Sequence, residues 1–257
     1  MSEKTIIPKD HPRYVSLITR EKLVDAFERG LVAREGLIAH GRGETFDYLF
    51  GEKTSDPALC AINAASALLL LADHPVISIN GNTAALSAKE ICALNQILEK
   101  SLIEINLFYR YKNREQIIAD ELRKYGANRI LGIDTKNLTQ IPELSSNRRT
   151  VDRDGIFVAD VVFVPLEDGD RTITLKKMNK KVISIDLNPL SRTSLSSDIS
   201  IVDNIVRVIP HLIKNVDYHK RNSTEQELKD IVNNFDNKKV VREAIDIIKS
   251  SKTFANF

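Results

Sequence analysis

The chain has no tryptophan, only two cysteines, and no apolar run long enough to span a bilayer among its 257 residues. Each absence removes a class of protein. Cys60 and Cys92 lack metal-ligand spacing and sit in apolar or helix-like surroundings. They read as reduced core thiols, which argues against a disulfide scaffold and for a cytoplasmic setting. The greasiest stretch, residues 58–72, contains Asn63 and stops at Asp73, short of the ~18 apolar residues of a membrane span. The opening MSEKTIIPKDHPRY has no charged n-region followed by an apolar h-region, so it is not a secretory signal. Charge of one sign is lacking too: 37 Lys and Arg against 35 Asp and Glu leave a formal +2, too balanced to imply a nucleic-acid or membrane partner. Also missing are the HExxH and Cys-His clusters of zinc sites, the GxSxG of serine hydrolases and the GxxxxGK[ST] phosphate loop. No metal-ligating residues are predicted.

What is present describes a globular α/β chain. Hydrophobic residues make up 42% and charged residues 28%, near globular averages. Residues 16–29 carry Leu17, Leu23, Ala26 and Phe27 among charges and stop at Gly30, which predicts an amphipathic helix. Pro57 opens a core helix over 58–72. Strands are predicted at 76–79, 103–108, 129–133, 157–164, 181–185 and 199–202. Helices are predicted at 86–100, 114–124, 171–178 and 206–214, and a long loop over 135–153. Strands separated by helical stretches imply parallel pairing with helices on both faces, a doubly wound architecture. Val240, Val241, Ala244, Ile245 and Ile248 recur at helical spacing, so a last helix docks on the body or on a second subunit. We read residues 1–257 as a single α/β unit with a helical lead-in over 1–35 and a helical tail over 216–257.

Open parallel sheets bind ligands at the carboxyl ends of their strands, so the residues there are the candidates. His40-Gly41-Arg42-Gly43-Glu44 places two glycines around an arginine, where backbone and guanidinium can approach a phosphate; a plain turn is the alternative. Asn80-Gly81-Asn82-Thr83 follows a strand and precedes a helix, a place that attracts anions but also the composition of an ordinary helix cap. In Asp186-Leu187-Asn188, the carboxylate suits ribose hydroxyls or Mg²⁺ held through water and the amide suits a base or sugar, with Ser191-Arg192-Thr193 behind them for phosphate oxygens. Asp203-Asn204 ends another strand. Asp168-Gly169-Asp170-Arg171 reads as a turn and helix start, with Arg171 an anion candidate. Among the histidines, His11 and His40 lie in candidate segments, whereas His74, His211 and His219 look structural or exposed.

Several of these segments, in order, resemble one family. HPRYVSLITREKL (11–23), GLIAHGRGETFDYLFGE (36–52), ISINGN (77–82), EINLFYR (104–110), DRDGIFVADVVFVPLEDGDRT (152–172) and IDLNPLSRT (185–193) are similar to the archaeal phosphopantothenate synthetases, also called 4-phosphopantoate:β-alanine ligases. The resemblance covers most of residues 8–215 and weakens in the tail from Val216. It implies a Rossmann-like core, a homodimer, and ATP-dependent amide formation with Mg²⁺ in coenzyme A biosynthesis. In that reaction 4-phosphopantoate is adenylated and β-alanine then displaces AMP. By motif position it also implies that Arg20 and Arg42 contact ATP phosphates, and that Asp186, Leu187, Asn188, Arg192, Thr193, Asp203 and Asn204 contact the nucleotide. Arg42 and His40 are the residues expected nearest the chemistry, with His40 or a carboxylate as the base. Arg13, Asn80, Asn82, Arg110, Arg153 and Arg171 are candidates for the other substrates. An NAD-dependent oxidoreductase and a non-catalytic nucleotide-sensing module are the competing readings. The first lacks a third glycine, since Phe46 stands where it belongs.

Overall fold

The computed structural model describes residues 7–110, 113–141 and 147–250. In chain order it contains α1 (Tyr14–Glu28), α2 (Arg34–Leu49), α3 (Asp56–Leu71), β1 (Pro75–Ile79), α4 (Gly81–Leu98), β2 (Leu102–Ile105), α5 (Arg114–Arg123) and β3 (Ile130–Leu131). Then come β4 (Leu138–Gln140), β5 (Thr150–Asp152), β6 (Val161–Pro165), α6 (Gly169–Lys177), β7 (Lys181–Ile185), α7 (Arg192–Ser196), β8 (Ile199–Ile201), α8 (Ile205–Asn222), α9 (Glu225–Asn233) and α10 (Asn237–Ser250). Among the described residues, no helix is long and apolar enough to cross a membrane.

Six strands form one sheet in the order β3-β2-β1-β6-β7-β8, and every pairing is parallel. The chain winds outward from β1 to β3, returns to the middle, and winds outward again from β6 to β8. That reversal opens a crevice between the carboxyl ends of β1 and β6, where doubly wound sheets bind ligands. The expected Rossmann-like α/β class is therefore the observed one.

The period of two along each strand divides the core. Ile77, Ile79, Ile103, Ile105, Phe163, Ile183, Ile185 and Ile201 point to one face, where they are buried with residues of α1, α3, α4, α5 and α8. Val76, Val162, Val164 and Val182 point to the other, against Leu175 of α6, Val151 of β5 and Ile156. At ~1.5–3 kcal/mol for each fully buried aliphatic side chain, the larger face supplies most of the apolar stabilisation. The second face is covered by one helix and a two-stranded antiparallel ribbon, β4–β5. That ribbon lies inside the predicted 135–153 loop and corrects it; the part of that loop from 142 to 146 lies outside the described residues.

Other departures have local causes. The strand expected at 157–164 starts only at Val161, because the Ile156 N–H donates to Glu104 and residues 153–158 form turns. The strand expected at 103–108 ends at Ile105, since Asn106 turns to donate to the Thr150 carbonyl at 2.8 Å. The helix expected from Leu86 begins at Gly81, with an irregular turn at Ser87. The helix expected to end at Lys214 runs through Pro210 to Asn222, kept by buried Val208, Ile209, Leu212 and Val216. Cys92 is buried as expected, and burial pushes its thiol up to about 11. Cys60 is exposed on α3 and is not a core thiol. In the tail, α9 starts with a Thr224–Glu227 capping box, and Val240, Val241 and Ala244 of α10 are buried against the body.

Candidate active site at the carboxyl edge of the sheet

The glycine-rich segment is not a turn. Residues 34–49 form α2, so Gly41 and Gly43 are helical, and neither has a left-handed backbone. Two residues apart on a helix, His40 and Arg42 face nearly opposite directions rather than one common phosphate. Arg42 is exposed, and no ion pair among the described residues engages it. His40 turns inward, where burial lowers its pKa and its Nε2 is buried without a hydrogen-bond partner.

Two polar clusters fix α2 over the sheet. On one side, Glu44 accepts both bonds from Arg20 Nε at 2.9 Å and one from the Ser16 hydroxyl. Burial alone would raise the Glu44 pKa, but the bonds from Ser16 and Arg20 outweigh it and the value falls. Arg20 also donates to the Tyr48 hydroxyl at 2.7 Å, and Arg13 donates to the same hydroxyl while lying 5.3 Å from the ring centroid. On the other side, Asp47 accepts from Asn204 Nδ2 at 2.8 Å and from Arg207 at 2.5 Å. Arg207 also reaches Asp203, which accepts from Thr54 at 2.6 Å. Asp203 and Asn204 thus do not present free side chains to a nucleotide. They anchor α2 and cap α8, whose Val206 N–H bonds to Asn204. The sequence reading named Glu44 only as the end of the glycine-rich segment and did not name Asp47 or Arg207, whose spacing on two helices is the only signal they leave.

The β7 loop is likewise pre-arranged. Asp186 accepts from the Asn188 N–H at 2.9 Å and the Ser191 hydroxyl at 2.5 Å, and burial raises its pKa against those two bonds. Leu187 is buried, and Gly43 of α2 faces its side chain. Thr193 donates to the Glu167 carbonyl at 2.9 Å, while Arg192 forks onto Asp170 at 2.7 and 3.1 Å, both exposed. The loops after β6 and β7 approach so closely that a Cβ on Gly169 would lie 2.3 Å from that of Arg192.

At the crevice itself the two predicted asparagines serve as braces. Asn80 caps α4 by accepting from the Thr83 N–H at 3.0 Å, and its amide donates to the Pro165 and Leu166 carbonyls, tying β1 to β6. Asn82 donates to the Gly36 carbonyl at 2.8 Å, tying α4 to α2. Asn80 is thus the helix cap that the composition offered as one reading, and both side-chain amides are engaged. Arg153 is exposed in the turn that follows β5. Arg110 donates to the Thr150 carbonyl at 3.3 Å and pairs with Glu115 at 3.4 Å. Arg171, an anion candidate in the sequence, is fully buried: it pairs with Glu167 and donates to Ser78 at 3.1 Å. Arg148, absent from the sequence reading, stands beside it and pairs with Glu167 and Asp168.

Among the described residues, no three His, Cys, Asp or Glu side chains are grouped to hold a metal. An arrangement of arginines, a buried acid and a neutral histidine around the carboxyl ends of parallel strands can bind anions, orient them and accept a proton. The model of one family, phosphopantothenate/pantothenate synthetase, matches residues 57–251. The chain belongs to this family. The match runs through the tail, beyond the 8–215 span of the motif resemblance. Relatives in this family extend the likeness to the α1–α2 region. A 4-phosphopantoate–β-alanine ligase from Thermococcus kodakarensis is 52% identical over 248 residues, 96% of this chain and 94% of that protein. Proteins of the same name from Thermococcus onnurineus and Methanosarcina mazei are 50% and 48% identical, the latter over 98% of both chains.

Proposed function

We propose that the protein is a 4-phosphopantoate–β-alanine ligase that forms 4′-phosphopantothenate in coenzyme A biosynthesis. The observation that carries this reading is 48–52% identity to proteins of that name over nearly the whole of both chains. The dinucleotide alternative, motivated by the parallel sheet, is disfavoured further, because the glycine-rich segment is a helix rather than a strand-to-helix turn.

A carboxylate is a poor electrophile and must be activated. An oxygen of the 4-phosphopantoate carboxylate attacks the α-phosphorus of ATP, the bond to the β-phosphate breaks, and pyrophosphate leaves. The β-alanine amine then attacks the acyl carbon, the carbon–oxygen bond to AMP breaks, and the amine proton passes to a base. No covalent protein nucleophile is needed. What the chain supplies is position and charge. The pre-folded Asp186–Asn188 turn and Thr193 are the nucleotide-facing groups, and Arg20 and exposed Arg42 the phosphate-facing ones. His40 is the base candidate, since burial keeps its imidazole neutral near pH 7 and able to take a proton. Mg²⁺ commonly binds through one or two carboxylates and substrate phosphates. It enters as part of the nucleotide substrate, arriving on ATP.

The test is direct. Purified protein with ATP, Mg²⁺ and 4-phosphopantoate should release AMP and pyrophosphate and form product only when β-alanine is added; no β-alanine-dependent product would refute the reading. A homodimer is part of the proposal, and sedimentation at micromolar concentration that gives a monomer would remove that part alone.

A further inference from the structure

The crevice between β1 and β6 holds a group of buried donors that the anchoring networks leave unspent. Arg148 and Arg171 share the Glu167 carboxylate. Asp168 takes a further bond from Arg148 Nη1 at 3.2 Å, but its other oxygen caps the Arg171 N–H at 2.9 Å. Arg148 Nε and both Nε and Nη2 of Arg171 are buried with no hydrogen-bond partner among the described residues. The group is continuous with the β2 end, where Asn106 donates to the Arg148 and Thr150 carbonyls and Arg110 to the latter. Ser78 of β1 completes it beneath Arg171.

Buried donors without acceptors are rare in folded proteins and ask for an explanation. Burial also presses on both charges: burial and the neighbouring Arg171 charge outweigh Asp168 and bring Arg148 down to about 10, and burial outweighs the Glu104 and Asp168 carboxylates to bring Arg171 to about 10. An anion with several acceptor oxygens answers both problems, and forked guanidinium donors match phosphate geometry. A carboxylate, with two oxygens, answers fewer of these donors than a phosphate with three. Position separates this anion from the nucleotide, because Asp186 and Thr193 lie at β7 and α7, whereas Ser78, Asn106 and Arg148 lie on the β1–β2 side.

We propose that Arg148 and Arg171 bind the 4-phosphate of phosphopantoate at the β1–β6 crevice. This rests on the ligase reading and assigns within it the residues that select the phosphorylated substrate over pantoate. Binding exchanges the Arg148–Glu167 pairing for an Arg148–phosphate pairing and gives the spare Arg171 donors an acceptor. The acyl end of the substrate then extends toward the β7 loop, where the nucleotide is expected.

The experiment is calorimetric titration of the full chain with 4-phosphopantoate, pantoate and ATP, repeated on Arg148→Gln and Arg171→Lys, each checked for folding by its melting curve. Wild type should bind 4-phosphopantoate at least ~100-fold more tightly than pantoate, which is ~2.7 kcal/mol at about 1.4 kcal/mol per tenfold. Each variant should lose at least ~20-fold of that preference, with ATP affinity within ~2-fold of wild type. If either variant does not fold, hydrogen exchange on wild type decides. 4-Phosphopantoate, but not pantoate, should slow exchange at residues 148–152 and 166–172. A preference retained in folded variants, or equal protection by pantoate, overturns the assignment while leaving the ligase reading intact. Wild-type protein that neither binds nor consumes 4-phosphopantoate overturns both.

Discussion

Replacing Gly41 by alanine should make the protein more stable and the enzyme worse. Gly41 lies inside α2 with a right-handed backbone, and a Cβ built there meets no heavy atom within 4 Å. Neither conformation nor packing in the unliganded protein requires glycine. Alanine in a helix interior is favoured by roughly 0.5–1 kcal/mol, and in a chain of this size each kcal/mol moves the melting temperature by about 2–4 °C. Gly41→Ala should therefore melt ~1–4 °C higher. A sequence that forgoes this stability gains something elsewhere, and the nearest use is room for a ligand against the helix. The added methyl should raise KM for ATP or lower kcat so that kcat/KM falls at least ~10-fold, about 1.4 kcal/mol of lost transition-state stabilisation. The assay is β-alanine-dependent AMP release with ATP varied, beside a melting curve without ligand. A higher melting temperature with unchanged kinetics would refute the ligand half of the reasoning, and a lower one would refute the packing half.

Other predictions test separate links. Arg42→Ala should abolish most activity yet leave the melting temperature within ~1 °C, because the side chain is exposed and unpaired among the described residues; an equal loss of stability would count against it. Arg207→Met leaves Asp47 and Asp203 buried without their shared cation, so denaturant unfolding should show a loss of ~3–5 kcal/mol, and a loss below 1 kcal/mol would mean α2 is not held there. Burial raises Glu104 to about 7, above its ordinary 4.5. The folded protein then binds a proton that the unfolded chain has released, so this group's contribution is full below about pH 4.5 and is lost as pH rises through about 7. The stability of wild type relative to Glu104→Gln should fall across that window by ~3 kcal/mol at most, from about 1.4 kcal/mol per pH unit; a flat difference would show that Glu104 is not titrating there.

The sheet was legible because its strands are short apolar runs bounded by polar turns. Residues 181–185 are predicted and found as β7, and the order of strands and helices sufficed for parallel pairing. α2 was not legible, because His40-Gly41-Arg42-Gly43 has the composition of a loop, and what holds it helical lies elsewhere. Asp47 is fixed by Asn204 and Arg207, and Glu44 by Arg20, contacts that no local pattern announces. The same limit hid the role of the site asparagines: Asn80 has the right residue type for a ligand contact, but its amide is committed to carbonyls at the end of β6. Arg148 carried no sequence signal at all, since its burial arises only when residues 78, 148, 167 and 171 converge.

The pairing of β1 with β6 also dictates how the molecule must be assembled. Residues 75–77 pair with 161–163, so β1, β2 and β3 leave the ribosome before the partner for β1's other edge exists. At 5–20 residues per second, the nascent chain carries an apolar, unpaired edge for roughly 4–20 s. That interval is the chain's window of vulnerability to misassociation. The seam closed at its end is the one that forms the crevice, so a ligand seated across β1 and β6 clasps the joint that ends this exposure.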